Sequence, residues 1–428
     1  MPLFPILDAA DRRPFLARLR AQTFDAAVEA SVRDSLADVR ARGDAALLDL
    51  SERFDGVRPP ALRVPDAALD AALARLDPGL AATIREAAAN VRRFHEHEMP
   101  ASWTMDDGDG ARVGQRVSPV EIAGLYVPGG TAALPSSVVM NAVPALVAGV
   151  GRVVVCSPPT RATGLPHEVI LATCALLGLR EVYAVGGAQA VAAMAFGTPS
   201  VPRVDVVVGP GNAYVATAKR LLVGQVGIDA VAGPSEVLVL ADAHADPTHA
   251  ACDLLAQAEH DARASALLVT PSRTLATAVQ AEVERLVPTL ARADTLRASL
   301  PASGAAIVTA TMDAALAVVD EVAPEHLVIL AAEPEALWAR VRHAGAVFLG
   351  DASPEPVGDY FAGPNHVLPT GGTARWASAL GVNVFLRRQS VLRYSAARLA
   401  ADGERIARFA EAEGLDAHAL AVRVRLAG

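Results

Sequence analysis

The chain has 428 residues, 52% of them hydrophobic and 20% charged, with a formal net charge of −9. That length exceeds a single ordinary core, so two or more domains are expected, and the apolar content excludes a disordered chain. The acidic balance leaves no electrostatic footprint for nucleic acid, and no basic run stands out for anionic lipid. Aromatics at 4% favour helices packed on buried strands over an aromatic-rich sandwich or a platform for stacking bases. Cys156, Cys174 and Cys252 are scattered, form neither a disulfide framework nor a CxxC zinc site, and read as small buried hydrophobes. Met1–Asp8 lacks the basic region and apolar core of a secretory signal. The longest apolar stretches, such as Ala142–Gly151 and Val169–Leu179, fall short of the roughly 18–20 residues a membrane span needs. A cytoplasmic protein is therefore expected.

In chain order, the first hundred residues predict helices over Arg13–Leu19, Phe24–Arg42, Asp44–Phe54, Asp66–Ala74 and Pro78–Glu96, with Pro and Gly between them. From about Tyr126 short Val-rich runs alternate with helices. Helix is predicted over Ser136–Ala148, strand over Arg152–Cys156, helix over His167–Leu177 and strand over Glu181–Val185. Then come helix Gln189–Phe196, strand Val204–Val208 and helix Ala213–Val223. A second series predicts strands Glu236–Ala241, Ser265–Thr270, Ala305–Thr309, His326–Ala331 and Ala346–Leu349. Helices near Pro247–His260, Arg273–Leu286, Thr311–Val322 and Pro334–His343 separate them. Short strands buried on both faces and separated by helices predict parallel sheets of doubly wound type, two of them, with a crevice between. After Gly381 the pattern becomes mostly helical and charged (Ser395–Glu413), a small C-terminal appendage.

Three loops join a Gly cluster to a polar side chain: Tyr126-Val-Pro-Gly-Gly130, Gly186-Gly-Ala-Gln189 and Gly209-Pro-Gly-Asn212. Each precedes a predicted helix, and the last two follow predicted strands. Carboxyl ends of parallel strands bind ligands in open α/β sheets, and glycines let backbone approach a phosphate-bearing molecule. None matches GxGxxG with a downstream ribose-binding acid, so the Rossmann fingerprint is absent. Three such loops in one series point to a nucleotide site without saying which nucleotide.

Gln257-Ala-Glu-His260 closes a predicted helix and sets an amide oxygen and an imidazole three residues apart, on one helix face. Ser353-Pro-Glu-Pro-Val-Gly-Asp359 runs on to Asn-His366 in a constrained loop after a strand, with Asp359 and His366 as its ionisable candidates. Glu413-Gly-Leu-Asp-Ala-His418 adds one more imidazole. A Gln, an Asp and two His would form a mixed N/O site with open positions, for which zinc is the first choice and Mn or Co the alternatives. Ala323-Pro-Glu325-His326-Leu places a carboxyl and an imidazole side by side between a predicted helix and strand. Either it is a turn that starts a strand, or it is a pair of proton-transfer groups with different tasks.

Seven ordered segments together resemble the histidinol dehydrogenase family, from about Phe54-Asp-Gly56 to His418. They are Tyr126–Gly130, Val185–Gln189, Val208–Asn212, Ala232-Gly-Pro-Ser-Glu236, Gln257–His260, Ala323–Leu327 and Gly363–Ala374. The resemblance implies zinc held by Gln257, His260, Asp359 and His418, and NAD contacted by Tyr126, Gln189 and Asn212. It implies that Ser235, His326, His366 and Glu413 touch substrate together with the metal ligands. His326 would act as general base, and Glu325 would activate water. A homodimer is implied, with His418 supplied from the partner subunit.

The reaction implied is oxidation of L-histidinol to L-histidine in two NAD-dependent steps through L-histidinaldehyde, the last steps of histidine biosynthesis. The implied domains are 1–22 with 380–403 (small and helical), 23–125 with 235–379 (Rossmann-like, metal and catalysis), 126–234 (Rossmann-like, NAD side) and 404–428 (a tail reaching the partner's site). Val328 and Asp320 stand where the family more often carries Glu and Asn. Two alternatives are a related NAD- and zinc-dependent dehydrogenase of another polar alcohol, such as a sulfonated diol, and a non-catalytic protein that kept the fold. The second would be expected to have lost Glu325, His326 or a ligand, and all are present.

Overall fold

A computed structural model describes residues 2–8, 11–21, 25–129 and 133–427. Phe24 and Gly130, which the sequence places in a helix and a glycine loop, lie outside the described residues. Strands in chain order are β1 (Ile6–Leu7), β2 (Trp103–Asp106), β3 (Ala111–Pro119), β4 (Ile122–Tyr126), β5 (Arg152–Ser157), β6 (Glu181–Ala184) and β7 (Val206–Val208). They continue as β8 (Gly227–Ile228), β9 (Glu236–Ala241), β10 (Ser265–Thr270), β11 (Gly304–Val308), β12 (His326–Leu330), β13 (Ala346–Leu349) and β14 (Leu386–Tyr394).

The chain forms two compact units. One takes the residues up to Glu98 together with Val120–Phe385, and the other takes Met99–Pro119 with the residues from Leu386 onward. The first unit holds two all-parallel sheets. One has the order β6-β5-β4-β7-β8, the other β1-β11-β10-β9-β12-β13. In each, three strands wind outward one way and the chain then crosses back to wind the other way. The crossing places β4 beside β7 in the first sheet and β9 beside β12 in the second. Two doubly wound parallel sheets are thus the observed architecture, as the alternation of apolar runs and helices predicts.

Period-two alternation builds the six-stranded sheet. Val237, Val239, Leu268 and Val328 pack into one apolar cluster, while Leu238, Leu240, Leu267 and Leu327 pack into another. Successive side chains of a strand point to opposite faces, so both faces are covered by helices. The helices of the first hundred residues form as predicted, at Ala26–Arg42, Asp44–Phe54, Asp66–Arg75 and Pro78–Glu96. Local caps start two of them. Asp25 accepts from Ala27 N at 2.8 Å, and Asp77 accepts from Leu80 N at 2.8 Å just before Pro78.

Three readings need correction. The segment after Gly381 is mostly helical as expected, at Ala396–Ala412 and Asp416–Leu426, but it first forms β14, nine residues that the sequence reading misses and that pair antiparallel with β3, which also pairs with β2. Its sequence, LRRQSVLRY, is polar on both alternations and largely exposed, so no buried face marks it as a strand. Cys156 and Cys174 are buried as expected, but Cys252 is exposed. The helix begun at Pro247 ends at Ala258, so His260 stands past the helix end instead of on its face. Among the described residues no helix is long and apolar enough to cross a membrane.

Candidate active site

Two edges of the parallel sheets carry the candidate residues. At the carboxyl edge of the five-stranded sheet, Tyr126 ends β4 and the Gly209–Asn212 loop follows β7. Asn212 caps the helix Ala213–Leu222, accepting from Tyr214 N at 3.1 Å and Val215 N at 3.2 Å, which leaves its side-chain NH₂ free to face a ligand. Gly209 has φ +118°, and a Cβ there would fall 2.1 Å from the Tyr126 carbonyl oxygen, so only glycine fits.

A buried ion pair grips the same loop. Lys219 pairs with Asp229 and donates to the Gly209 carbonyl at 3.0 Å, while Asp229 accepts from Gly209 N at 2.8 Å. Tyr126 is buried, and its hydroxyl accepts from Gly187 N at 3.2 Å. Burial pushes that phenol up to about 12, so its own proton stays available to donate. Gln189 is buried on the helix Gly187–Phe196, and its side-chain nitrogen has no partner among the described residues.

The second set gathers at the opposite, amino edge of the six-stranded sheet. His326 opens β12, Glu325 precedes it, and Glu236 opens the neighbouring β9. All three are held by strand backbone. Glu325 accepts from Glu236 N at 2.8 Å and from the Gln257 amide nitrogen at 3.4 Å. His326 Nδ1 lies 3.1 Å from the Glu236 carbonyl, so that nitrogen carries the proton and Nε2 is the basic one. Nε2 is buried without a hydrogen bond among the described residues, 3.5 Å from an Asp359 carboxylate oxygen. His366 Nδ1 lies 3.0 Å from the Asp359 carbonyl.

Asp359 sits on a short helix, Glu355–Tyr360, that the sequence reads as a loop. That helix also brings Glu355, and candidate ligand atoms of His260, Glu355 and Asp359 lie within 4.8 Å of one another. The Gln257 amide nitrogen donates to Glu325 at 3.4 Å, which leaves its oxygen for a cation.

Carboxylates outnumber imidazoles here, and burial sharpens the imbalance. Burial pushes Glu236 up to about 8, helped by the charge of Glu325, and pushes Glu355 up to about 8, helped by Asp359 and Glu325. Burial would depress His326, but Glu325, Glu355 and Asp359 together hold it well above the ordinary imidazole range. Burial would likewise raise Asp359, yet the facing imidazoles of His326, His366 and His260 keep it below the usual carboxylate range. His366 is depressed, chiefly by burial. An enclosed excess of carboxylate beside imidazole and amide oxygen is a donor set that a divalent cation suits.

A cleft of about 600 Å³ brings the two sets together. Tyr126, Gln189 and Asn212 line it from one sheet, Ser235 and His260 from the other. Glu413 caps the end of the helix Ala396–Ala412, and His418 lies on the helix Asp416–Leu426. Both belong to the second compact unit and both are exposed.

The histidinol dehydrogenase family model matches residues 18–426. The chain belongs to this family. It is 55% identical over 396 residues to the histidinol dehydrogenase of Geobacillus kaustophilus, covering 92% of this chain and 93% of that one. With the Rhodospirillum rubrum enzyme of the same name it shares 49% over 431 residues, 100% of this chain and 99% of the relative. The crystal structure of histidinol dehydrogenase from Elizabethkingia anophelis superposes with a TM-score of 0.93 at 33% identity, covering 100% of this chain and 98% of that one. As a member of the histidinol dehydrogenase family the chain is an oxidoreductase acting on a CH–OH group.

The two positions at which the resemblance expects other residues stand outside the acid–base cluster. Val328 is buried in the middle of β12, and Asp320 is paired with Arg342 at 2.7 Å. Sequence reasoning misses Glu236 and Glu355, although both stand in segments it singles out. A lone acid between prolines, or after a serine, carries no periodic signal, and only the fold shows Glu355 buried and Glu236 half-buried beside Glu325.

Proposed function

We propose that this chain oxidises L-histidinol to L-histidine in two NAD-dependent steps through L-histidinaldehyde, with a bound zinc ion. What supports this is one juxtaposition. A buried Glu–His pair, with the Gln257, His260 and Asp359 donors around it, adjoins the cleft that Tyr126, Gln189 and Asn212 line. Gln257, His260 and Asp359 would hold zinc, and His418 of a second copy would complete the set in a homodimer. Zinc, when bound, would orient a substrate that carries both an imidazole and an amine.

His326 takes the hydroxyl proton at Nε2 as hydride leaves the carbinol carbon for the first NAD, which gives the aldehyde. Glu325 then assists addition of water to that aldehyde, and a second hydride leaves for a second NAD. Ser235, His366 and Glu413 complete the substrate contacts. Residues 126–234 act as the nucleotide half and residues 235–379 form the core of the catalytic half. The protein works in the cytoplasm.

Stoichiometry tests the proposal directly. Zinc-loaded protein, limiting L-histidinol and excess NAD at mildly alkaline pH should yield two NADH per histidinol, with histidine as product. One NADH with free aldehyde would remove Glu325 from its assigned step. No NADH, with metal confirmed present, would turn the assignment to another polar alcohol. Glu325→Gln should impair aldehyde oxidation more than alcohol oxidation, and an equal fall in both would undo the division of labour.

A further inference from the structure

The cleft contains a carboxylate that the reaction above does not use. Asp55 closes the helix Asp44–Phe54, its backbone N–H donating to Ser51 O at 2.8 Å. Its carbonyl accepts from Arg161 Nε at 3.2 Å, which ties this turn to the segment that follows β5. The side chain lines the cleft beside Tyr126 and Gln189. A Cβ on Gly186 would lie 2.5 Å from Pro158 Cβ and 3.4 Å from Asp55 Oδ1. The carboxylate therefore lies beside Gly186, just after β6, whose other neighbour is Pro158, just after β5.

That point has a meaning in a sheet wound this way. In a dinucleotide-binding α/β sheet, an acid at the end of the second strand accepts the ribose hydroxyls. In the order β6-β5-β4-β7-β8, β5 is the second strand, and it runs out into Ser157-Pro158 with no acid nearby in sequence. Asp55 fills the place from a helix upstream of all five strands. One of its oxygens, Oδ2, is buried with no hydrogen-bond partner among the described residues. Burial alone pushes the carboxyl up to about 6, so the group carries a desolvation cost that no donor among the described residues offsets. A carboxylate kept for structure would have a donor. Asp55 lines the cleft, so a ligand there can supply the donor that the carboxyl lacks among the described residues.

We propose that Asp55 accepts the ribose hydroxyls of the dinucleotide in this cleft and excludes a dinucleotide bearing a 2′-phosphate. The inference rests on the nucleotide reading of the cleft given above, and it supplies the acid that the glycine loops lack in sequence.

Kinetics of wild type, Asp55→Asn and Asp55→Ala with NAD and NADP, at saturating L-histidinol, test it. Loss of a hydrogen bond to a charged group should raise the KM for NAD about tenfold or more. The kcat and the KM for histidinol should stay near wild type, and the NAD-over-NADP ratio of kcat/KM should fall by a similar factor. ADP-ribose titrated into the unliganded proteins should bind more weakly to both variants. Urea midpoints should be equal or higher in the variants, because an unpaired carboxylate has been removed. Wild-type KM and wild-type cofactor preference in both variants would overturn the proposal, as would loss of folding in both, which would make the carboxylate structural. If wild type itself neither reduces NAD nor binds ADP-ribose, the nucleotide reading fails, and that result differs from unchanged variants of an active enzyme.

Discussion

The carboxyl edge of the five-stranded sheet and the amino edge of the six-stranded sheet build their sites by opposite means. The first uses backbone. Gly209 at φ +118°, the capped helix after Asn212 and the buried Lys219–Asp229 pair set the course of a loop, and few titratable groups face the cleft there. The second uses side chains on rigid strands. Glu236, Glu325, His326, Glu355 and Asp359 crowd together, and each shifts the protonation of its neighbours. A ligand bound chiefly by shape and phosphate contact needs a fixed backbone. A reaction that moves protons needs charged groups whose burial can be tuned.

The comparison breaks first if the catalytic edge is not chemical. His326→Asn should slow alcohol oxidation by a factor of about 10² to 10⁴ while NAD binding holds, because proton removal is lost and the nucleotide loop is untouched. Near-wild-type turnover would remove His326 as the base.

Lys219→Met probes the other edge. It leaves Asp229 buried without its cation, which should lower stability by about 3–5 kcal/mol in urea titrations. In whatever fraction folds, the KM for NAD should rise while the KM for histidinol is unchanged. A rise in both alike would mean the two edges are not separately built.

The smallest effect sharpens the electrostatic side. Glu236 keeps its proton up to about 8 in the folded chain, against 4.5 as its ordinary value. A group whose affinity for protons rises on folding adds stability at low pH and loses it as pH climbs. Metal-free protein should therefore lose stability between about pH 4.5 and 8 through this group, and Glu236→Gln should flatten that slope. An identical slope in the variant would show that Glu236 is paired in solution.

Much of this was legible in residue order. Val-rich runs and helical spacing predict both sheets, because a strand buried on two faces must be apolar throughout. The glycine loops after β6 and β7 are legible because few side chains tolerate such backbone. Gln257, Asp359 and His326 stand in segments whose Gly, Pro and polar density marks them. Other features leave no local trace. β14 carries arginine on both faces, and Asp55 looks like any acid at a helix end.

The sequence by itself determined the alternation of strands and helices, the glycine positions and the list of candidate acids, imidazoles and amides, because each depends on neighbours close in the chain. Tertiary structure alone decided which candidates share a site. It turned Glu355 inward beside Asp359 and His260, set the half-buried Glu236 against Glu325, and placed Asp55 beside Gly186. Burial and proximity across the chain set protonation and pairing, and neither can be read from residues adjacent in sequence.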